Sequence, residues 1–278
     1  MSKINHIKNQ LFSKLPGFIR RKIVRAKLPA LSLDIENTMF RPAVSLDDYI
    51  KCFRLLHDVY VRSGYIDPSE SALRIIPQHS NPASKIFLGC HLNDDSQRIP
   101  VYTISLFPDS DEGLPMDDGF KSQLDTLRNQ KRKIAEVGCL ASNPSFRRRD
   151  MNIPMLGNRI MHQYATQYLD LDDLVITVHP KHQWVYEDVL LFEKIGEMSE
   201  YSYVKDNPAV AMRLDLRCAE KNYKKVYGAC PLEKDLHHFF FSGSSSSIDL
   251  SSEVVGRGCN LMETLSQYYA SFYLKTGG

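Results

Sequence analysis

No stretch of the 278-residue sequence approaches the ~20 consecutive apolar residues that a membrane-spanning helix needs. The N-terminus is basic, yet no apolar run and no small-residue cleavage site follow it, which argues against a secretory signal peptide. The six cysteines (Cys52, Cys90, Cys139, Cys218, Cys230 and Cys259) form no CxxC or other metal-ligand spacing and stand mostly among apolar neighbours. They read as buried, reduced thiols of a cytoplasmic protein, with no metal site. An excess of one charge is missing too: the formal net charge is +2, so no global field argues for nucleic acid. Gly-x-Ser-x-Gly is absent, which removes the nucleophile-elbow setting for a reactive serine. No internal repeat is visible.

The charge that is present is uneven. Residues 1–33 carry Lys3, Lys8, Lys14, Arg20, Arg21, Lys22, Arg25 and Lys27 and no acid. Leu11, Leu15, Phe18 and Ile19 recur there at helical spacing, interrupted by Pro16-Gly17. Such a basic arm, residues 1–36, either lies on an anionic membrane surface as a peripheral contact or packs back on the domain.

Residues 37–217 carry the patterning of a globular domain. Ser45 and Asp48 have capping-box spacing ahead of a helical stripe of Tyr49, Phe53, Leu56 and Tyr60. Residues 67–84 read as a long polar loop, and "KIFLGCHL" and "IPVYTISLF" as strands joined by "NDDSQR". A second long loop leads to a short helix with Phe120, Leu124 and Leu127 on one face. "KIAEVGCLA" is an apolar strand broken by one carboxylate, Glu136. A helix over 153–167 follows, then the strand "LVITV", the turn "HPKH", a helix "WVYEDVLLF" and two last strands. Residues 218–278 read as a helical extension that includes a flexible linker, "SGSSSS". Antiparallel-looking strands followed by strand-helix-strand-helix-strand define an α/β (α+β) domain with a mixed central sheet flanked by helices.

"FRRRDMNIPMLGNRIM" places Arg147, Arg148 and Arg149 between a strand and a helix, with Asp150 or Asn152 as cap and Pro154 in the first turn. Strand, basic turn and helix N-terminus is an arrangement that holds phosphate. The turn has no glycine, which a backbone wrapped around a pyrophosphate usually needs. A bare solvated turn is the alternative.

"AEVGCLASNPSFRRRDMNIPMLGNRIMHQYA" followed by "LVITVHPKHQWVYEDVLLFEKIGEMSEY" resembles the core of the GNAT acyltransferase superfamily in the order of strand, turn, helix, strand and tyrosine-bearing helix. Together with "VYVRSGYI", "TISLFPDSDEGLPMDDGF", "LDTLR" and "PAVAMRLDL", the sequence more closely resembles the bacterial long-chain N-acyl amino acid synthases, relatives of the acyl-homoserine lactone (autoinducer) synthases. That resemblance implies a GNAT-like fold, an acyl-phosphopantetheine thioester on acyl carrier protein as donor, and an amino acid as acceptor. It implies no permanently bound cofactor. A carrier's arm has one phosphodiester where coenzyme A has a pyrophosphate, and carriers are acidic, so the glycine-free arginine turn favours acyl carrier protein over coenzyme A. A coenzyme A-dependent N-acyltransferase and a non-catalytic carrier- or membrane-docking module remain as alternatives.

Aminolysis of a thioester must deprotonate the amine, stabilise an oxyanion and release a thiolate. Glu136, with no charged neighbour between Ile134 and Leu140, is the candidate base; an ion pair with an arginine such as Arg62 is the competing role. Alternation groups Glu136 with Ile134, Gly138 and Leu140, opposite Ala135, Val137 and Cys139. Gly138, Cys139, Leu140 and Ala141 are candidates to contact the acyl-pantetheine arm, because the resemblance lays it between two splayed strands. Gly138 alone equally marks a bulge. The resemblance makes Tyr186 the candidate acid for the leaving thiolate, although its helix looks one residue longer than usual; a core-packed tyrosine is the other reading. His179 is either a second base, a carrier contact or a structural loop histidine. Arg62 is the candidate for the acceptor's carboxylate.

Overall fold

In the computed structural model, which describes residues 16–147, 152–197 and 199–251, the apolar runs of the sequence become one mixed sheet. Among the described residues eight strands pair: β1 (Thr38–Pro42), β2 (Lys85–Leu92), β3 (Arg98–Pro108), β4 (Ile134–Ser142), β5 (Asp173–Val178), β6 (Glu193–Lys194), β7 (Ser199–Tyr201) and β8 (Asn207–Asp215). Their order is β1-β2-β3-β4-β5-β8-β6, with β7 also on β8. β4 and β5 run parallel, and the pairs β1–β2, β2–β3, β3–β4 and β5–β8 are antiparallel.

Helices cover both faces. The first, α1, is Gly17–Ala26. α2 (Leu46–Arg62) begins at the expected capping box: Asp48 N–H donates to Ser45 Oγ and Ser45 N–H to the Asp48 carboxylate, both at 3.2 Å. α2 and α3 (Asp117–Asn129) lie on one face, burying Phe53 and Leu56, and Phe120, Leu124 and Leu127. α4 (Asn152–Gln167) buries Leu156, Ile160 and Tyr164 on the opposite face. α5 (Gln183–Asp188) is shorter than its sequence suggests, because Val189 and Leu190 leave the helix to enter the core. α6 is Leu216–Tyr227.

Parts of the chain outside the sheet join the same core. Val24 of α1 is buried with Tyr223, Tyr227, Leu236, Phe239 and Phe240 of the C-terminal extension. The fully buried Asp188 receives Arg20 Nε at 2.5 Å, and its carbonyl accepts Arg25 Nε at 3.0 Å. Two basic residues of the arm are thus spent on packing. Residues 1–15 and the helix expected near the C-terminus lie outside the described residues.

"SGSSSS" differs from the flexible linker expected of it. Ser246 and Ser247 donate their N–H groups to Asp34, at 2.5 and 3.2 Å, and Ser247 is 3% exposed. Phe40 N–H bonds to Ser247 O and Asp249 N–H to Phe40 O, so this segment closes the free edge of β1. Low side-chain bulk there serves close docking instead of slack. No helix of the described residues is long and apolar enough to cross a membrane.

Gly157 sets how near α4 comes to the sheet. A Cβ there would lie 2.0 Å from Tyr102 Cε1, and Tyr102 is fully buried on β3. Gly157→Ala is expected to destabilise the fold by about 1–3 kcal/mol despite alanine's better helix propensity, as a lower urea midpoint at unchanged slope would show.

Candidate active site

β4 and β5 pair only over Ile134–Glu136 and Asp173–Val175, although β4 continues to Ser142 and β5 to Val178. Two features separate them. β5 follows β8 along its whole length. β4 carries a bulge where its register with β3 shifts between Thr103 and Ser105. Cys139 sits in that bulge at φ 50°, in the left-handed region that costs a non-glycine residue about 1–3 kcal/mol.

The inserted residue resets the alternation. Cys139 packs with the cluster on the Glu136 side, and Leu140 joins Val137 on the other. Simple period-two reading had placed these two residues the opposite way round.

A cavity of about 190 Å³ runs through the gap and has a lobe on each face of the sheet. The lobe beneath α2 and α3 is aromatic and polar, with Glu136, Arg74, Tyr60, Tyr65, Tyr201 and Tyr203 in its wall. Glu136 is 2% exposed and has no ion-pair partner among the described residues. Its Oε2 accepts Met116 N–H at 2.6 Å, and its Oε1 accepts the Tyr201 hydroxyl at 3.4 Å. Burial pushes the carboxyl up to about 8, while those two donors pull in the other direction.

The Met116 contact is braced from outside. Arg128 donates to both carboxylate oxygens of Asp109 and of Asp117, all within 2.8 Å, and Asp117 in turn accepts Leu114 N–H. The loop that brings Met116 to Glu136 is therefore tied at both ends to one guanidinium.

Arg74 was not singled out by its sequence; the only signal was the length of the polar loop that carries it. Its N–H bonds to Phe53 O of α2, and Nη2 donates to Tyr203 O at 2.8 Å. Nε is buried with no partner. Arg62, by contrast, is exposed at the end of α2 and does not line the cavity. Tyr201 and Tyr203, on β7 and the turn after it, were likewise not singled out.

The structure brings Glu136, Gly138, Cys139, Leu140, His179 and Tyr186 to this one cavity. Ala141 is buried against Leu55 and Leu56 and stays outside it. Tyr186, half-buried on α5, stands perpendicular to Phe192, and burial raises its hydroxyl pKa. His179 Nδ1 accepts Lys181 N–H at 3.2 Å, which leaves the proton on Nε2. Burial and then Lys181 lower its pKa, favouring the neutral ring. Arg147 ends a helical turn (Pro144–Arg147); its side chain, Arg148 and Arg149 lie outside the described residues. Among the described residues no three His, Cys, Asp or Glu side chains are arranged to hold a metal.

A mixed sheet split between two central parallel strands, with a through-going cavity at the split, is the architecture of a GNAT-type acyltransferase. The model of the family described as N-acyl amino acid synthase FeeM matches residues 51–215, and this chain belongs to that family. It is accordingly an N-acyltransferase. Among solved structures, FeeM, an N-acyl amino acid synthase from uncultured soil microbes, matches with a TM-score of 0.56 at 24% identity, over 66% of this chain and 93% of that one. BjaI, a coenzyme A-dependent acyl-homoserine lactone synthase solved with SAM and isopentyl-CoA, matches with a TM-score of 0.53 at 12% identity, over 79% of this chain and 98% of that one. No curated protein sequence matches significantly.

Proposed function

We propose that the enzyme transfers a long-chain acyl group from the phosphopantetheine thioester of acyl carrier protein to the α-amine of an amino acid. The observation that carries this reading is the cavity itself: an unpaired buried carboxylate and an arginine in one lobe, an apolar lobe on the other, and the strand gap between them. An amino acid in the polar lobe places its carboxylate at Arg74 and its ammonium at Glu136. Glu136 takes a proton from the ammonium, and the free amine attacks the thioester carbonyl. The tetrahedral oxyanion collapses to the amide and expels the thiolate, which takes a proton from Tyr186. The surplus proton on the attacking nitrogen passes to the Tyr186 phenolate and restores it, so that the one proton released overall stays on Glu136. The carrier donor is supported by the sequence of the Arg147–Arg149 turn, whose charge suits an acidic partner and whose lack of glycine suits a single phosphodiester.

The test is a mass-spectrometric product assay with long-chain acyl carrier protein or the matching acyl coenzyme A, each with all twenty amino acids. An N-acyl amino acid formed preferentially from the carrier thioester is the expected result. Equal use of coenzyme A would remove the argument from the arginine turn, and product from neither donor would overturn the whole reading.

A further inference from the structure

The lobe beneath α4 is walled by Met161, Leu174, Leu190, Phe192, Leu214 and Phe240, and one member of its wall is out of keeping with them. His162 is 6% exposed, lines the lobe, and has no hydrogen-bond partner for either ring nitrogen among the described residues. Its ring meets Phe240 and Phe241 at steep angles, with centroids 5.6 and 4.9 Å away. Those rings fix its orientation and supply no lone pair.

Burial and then the Arg159 charge push the His162 pKa down to about 4, so the ring is neutral at physiological pH. It therefore presents one N–H donor and one bare acceptor nitrogen. Asn158, one turn earlier on α4, lines the same lobe. Its amide nitrogen donates to Pro154 O at 2.8 Å, leaving the side-chain carbonyl as a further acceptor.

A buried donor and acceptor left unpaired cost stability that a phenylalanine at this site would not. A plain hydrocarbon tail would leave the ring in that state. The two ring nitrogens point away from each other, so one alcohol pairs with one of them: its oxygen accepts from the ring N–H while its own proton goes to Asn158 Oδ1, or it donates to the bare ring nitrogen.

We propose that the acyl chain taken by this lobe bears a hydroxyl group along its length, and that His162, with Asn158, selects it. The inference rests on reading this lobe as the acyl site of the proposed transferase. It narrows the donor from a long-chain thioester to a hydroxyacyl thioester.

The experiment uses the full chain and acyl-pantetheine thioesters of one chain length, either unsubstituted or with the hydroxyl walked along the chain. Affinities are measured calorimetrically, and turnover is followed separately with the corresponding carrier-loaded donors. At least one hydroxyl position is expected to bind about tenfold or more tightly than the unsubstituted chain. His162→Phe should reverse that order. Should that variant misfold, the preference of the unaltered protein decides alone. Binding of the unsubstituted chain as tightly as every hydroxylated isomer would overturn the proposal and mean that water suffices for the imidazole. Selective binding of a hydroxylated chain with no N-acyl product from any donor would sustain the hydroxyl site and overturn the transferase reading instead.

Discussion

Glu136→Gln is expected to lower turnover by about 10²- to 10⁴-fold, the usual contribution of a positioned general base. Glutamine keeps the shape and can still accept Met116 N–H, so the fold should survive. The pH behaviour distinguishes loss of a base from a local disturbance. With a carboxyl pushed up to about 8, the kcat/KM of the unaltered enzyme should climb as pH rises through that value, and the variant should lack that limb.

Stability should move in the opposite sense. The native carboxyl holds its proton up to about 8, whereas in the unfolded chain it releases it near 4.5. Between those values the native state binds more protons, so unfolding free energy falls as pH rises, on the order of a few kcal/mol in total. Glu136→Gln should flatten this slope and be more stable than the unaltered protein at pH 8. Denaturant titrations at pH 5 and pH 8 would show it; a slope that survives the substitution would mean Glu136 ionises normally.

Arg74→Leu is expected to raise the KM for the amino acid about 10- to 100-fold, the range for losing a charge-assisted bond to a carboxylate, with the donor KM unchanged. Arg62→Ala should change neither constant. Because Arg74 also donates to Tyr203 O, a merely structural disturbance must be separated from loss of carboxylate binding. The decarboxylated amine of the preferred amino acid does this. The unaltered enzyme should favour the amino acid strongly over that amine, whereas the Leu variant should treat them nearly alike. Equal loss of rate with both acceptors would assign Arg74 to the frame of the loop.

Much of the fold was legible because burial imposes periodicity. The stripes Phe53–Leu56 and Leu156–Ile160–Tyr164, the capping box at Ser45, and the strands on either side of "NDDSQR" are all local statements. Glu136 was legible for the same reason, as a lone charge in an apolar run. Arg74 was not, since its place depends on Phe53 and Tyr203, 21 and 129 residues away in sequence. Cys139 and Leu140 were misassigned because a bulge is a pairing property, and nothing in "EVGCLA" besides its glycine announces one. The serines of "SGSSSS" mislead by composition: the same small side chains serve slack and close docking alike.

The unpaired stretch of β4 has a consequence for solubility as well as for chemistry. Backbone groups with no ladder partner usually mark the rim of a sheet, where they invite other chains to add on. Here that rim is turned inward, between β4 and β5, with helices over both faces. Beyond Glu136, β4 has no ladder partner on its β5 side, and enclosure between the helices keeps that side from being offered to a second protein molecule. Under the proposed function, a pantetheine arm lying in the gap would complete the sheet for the length of one reaction.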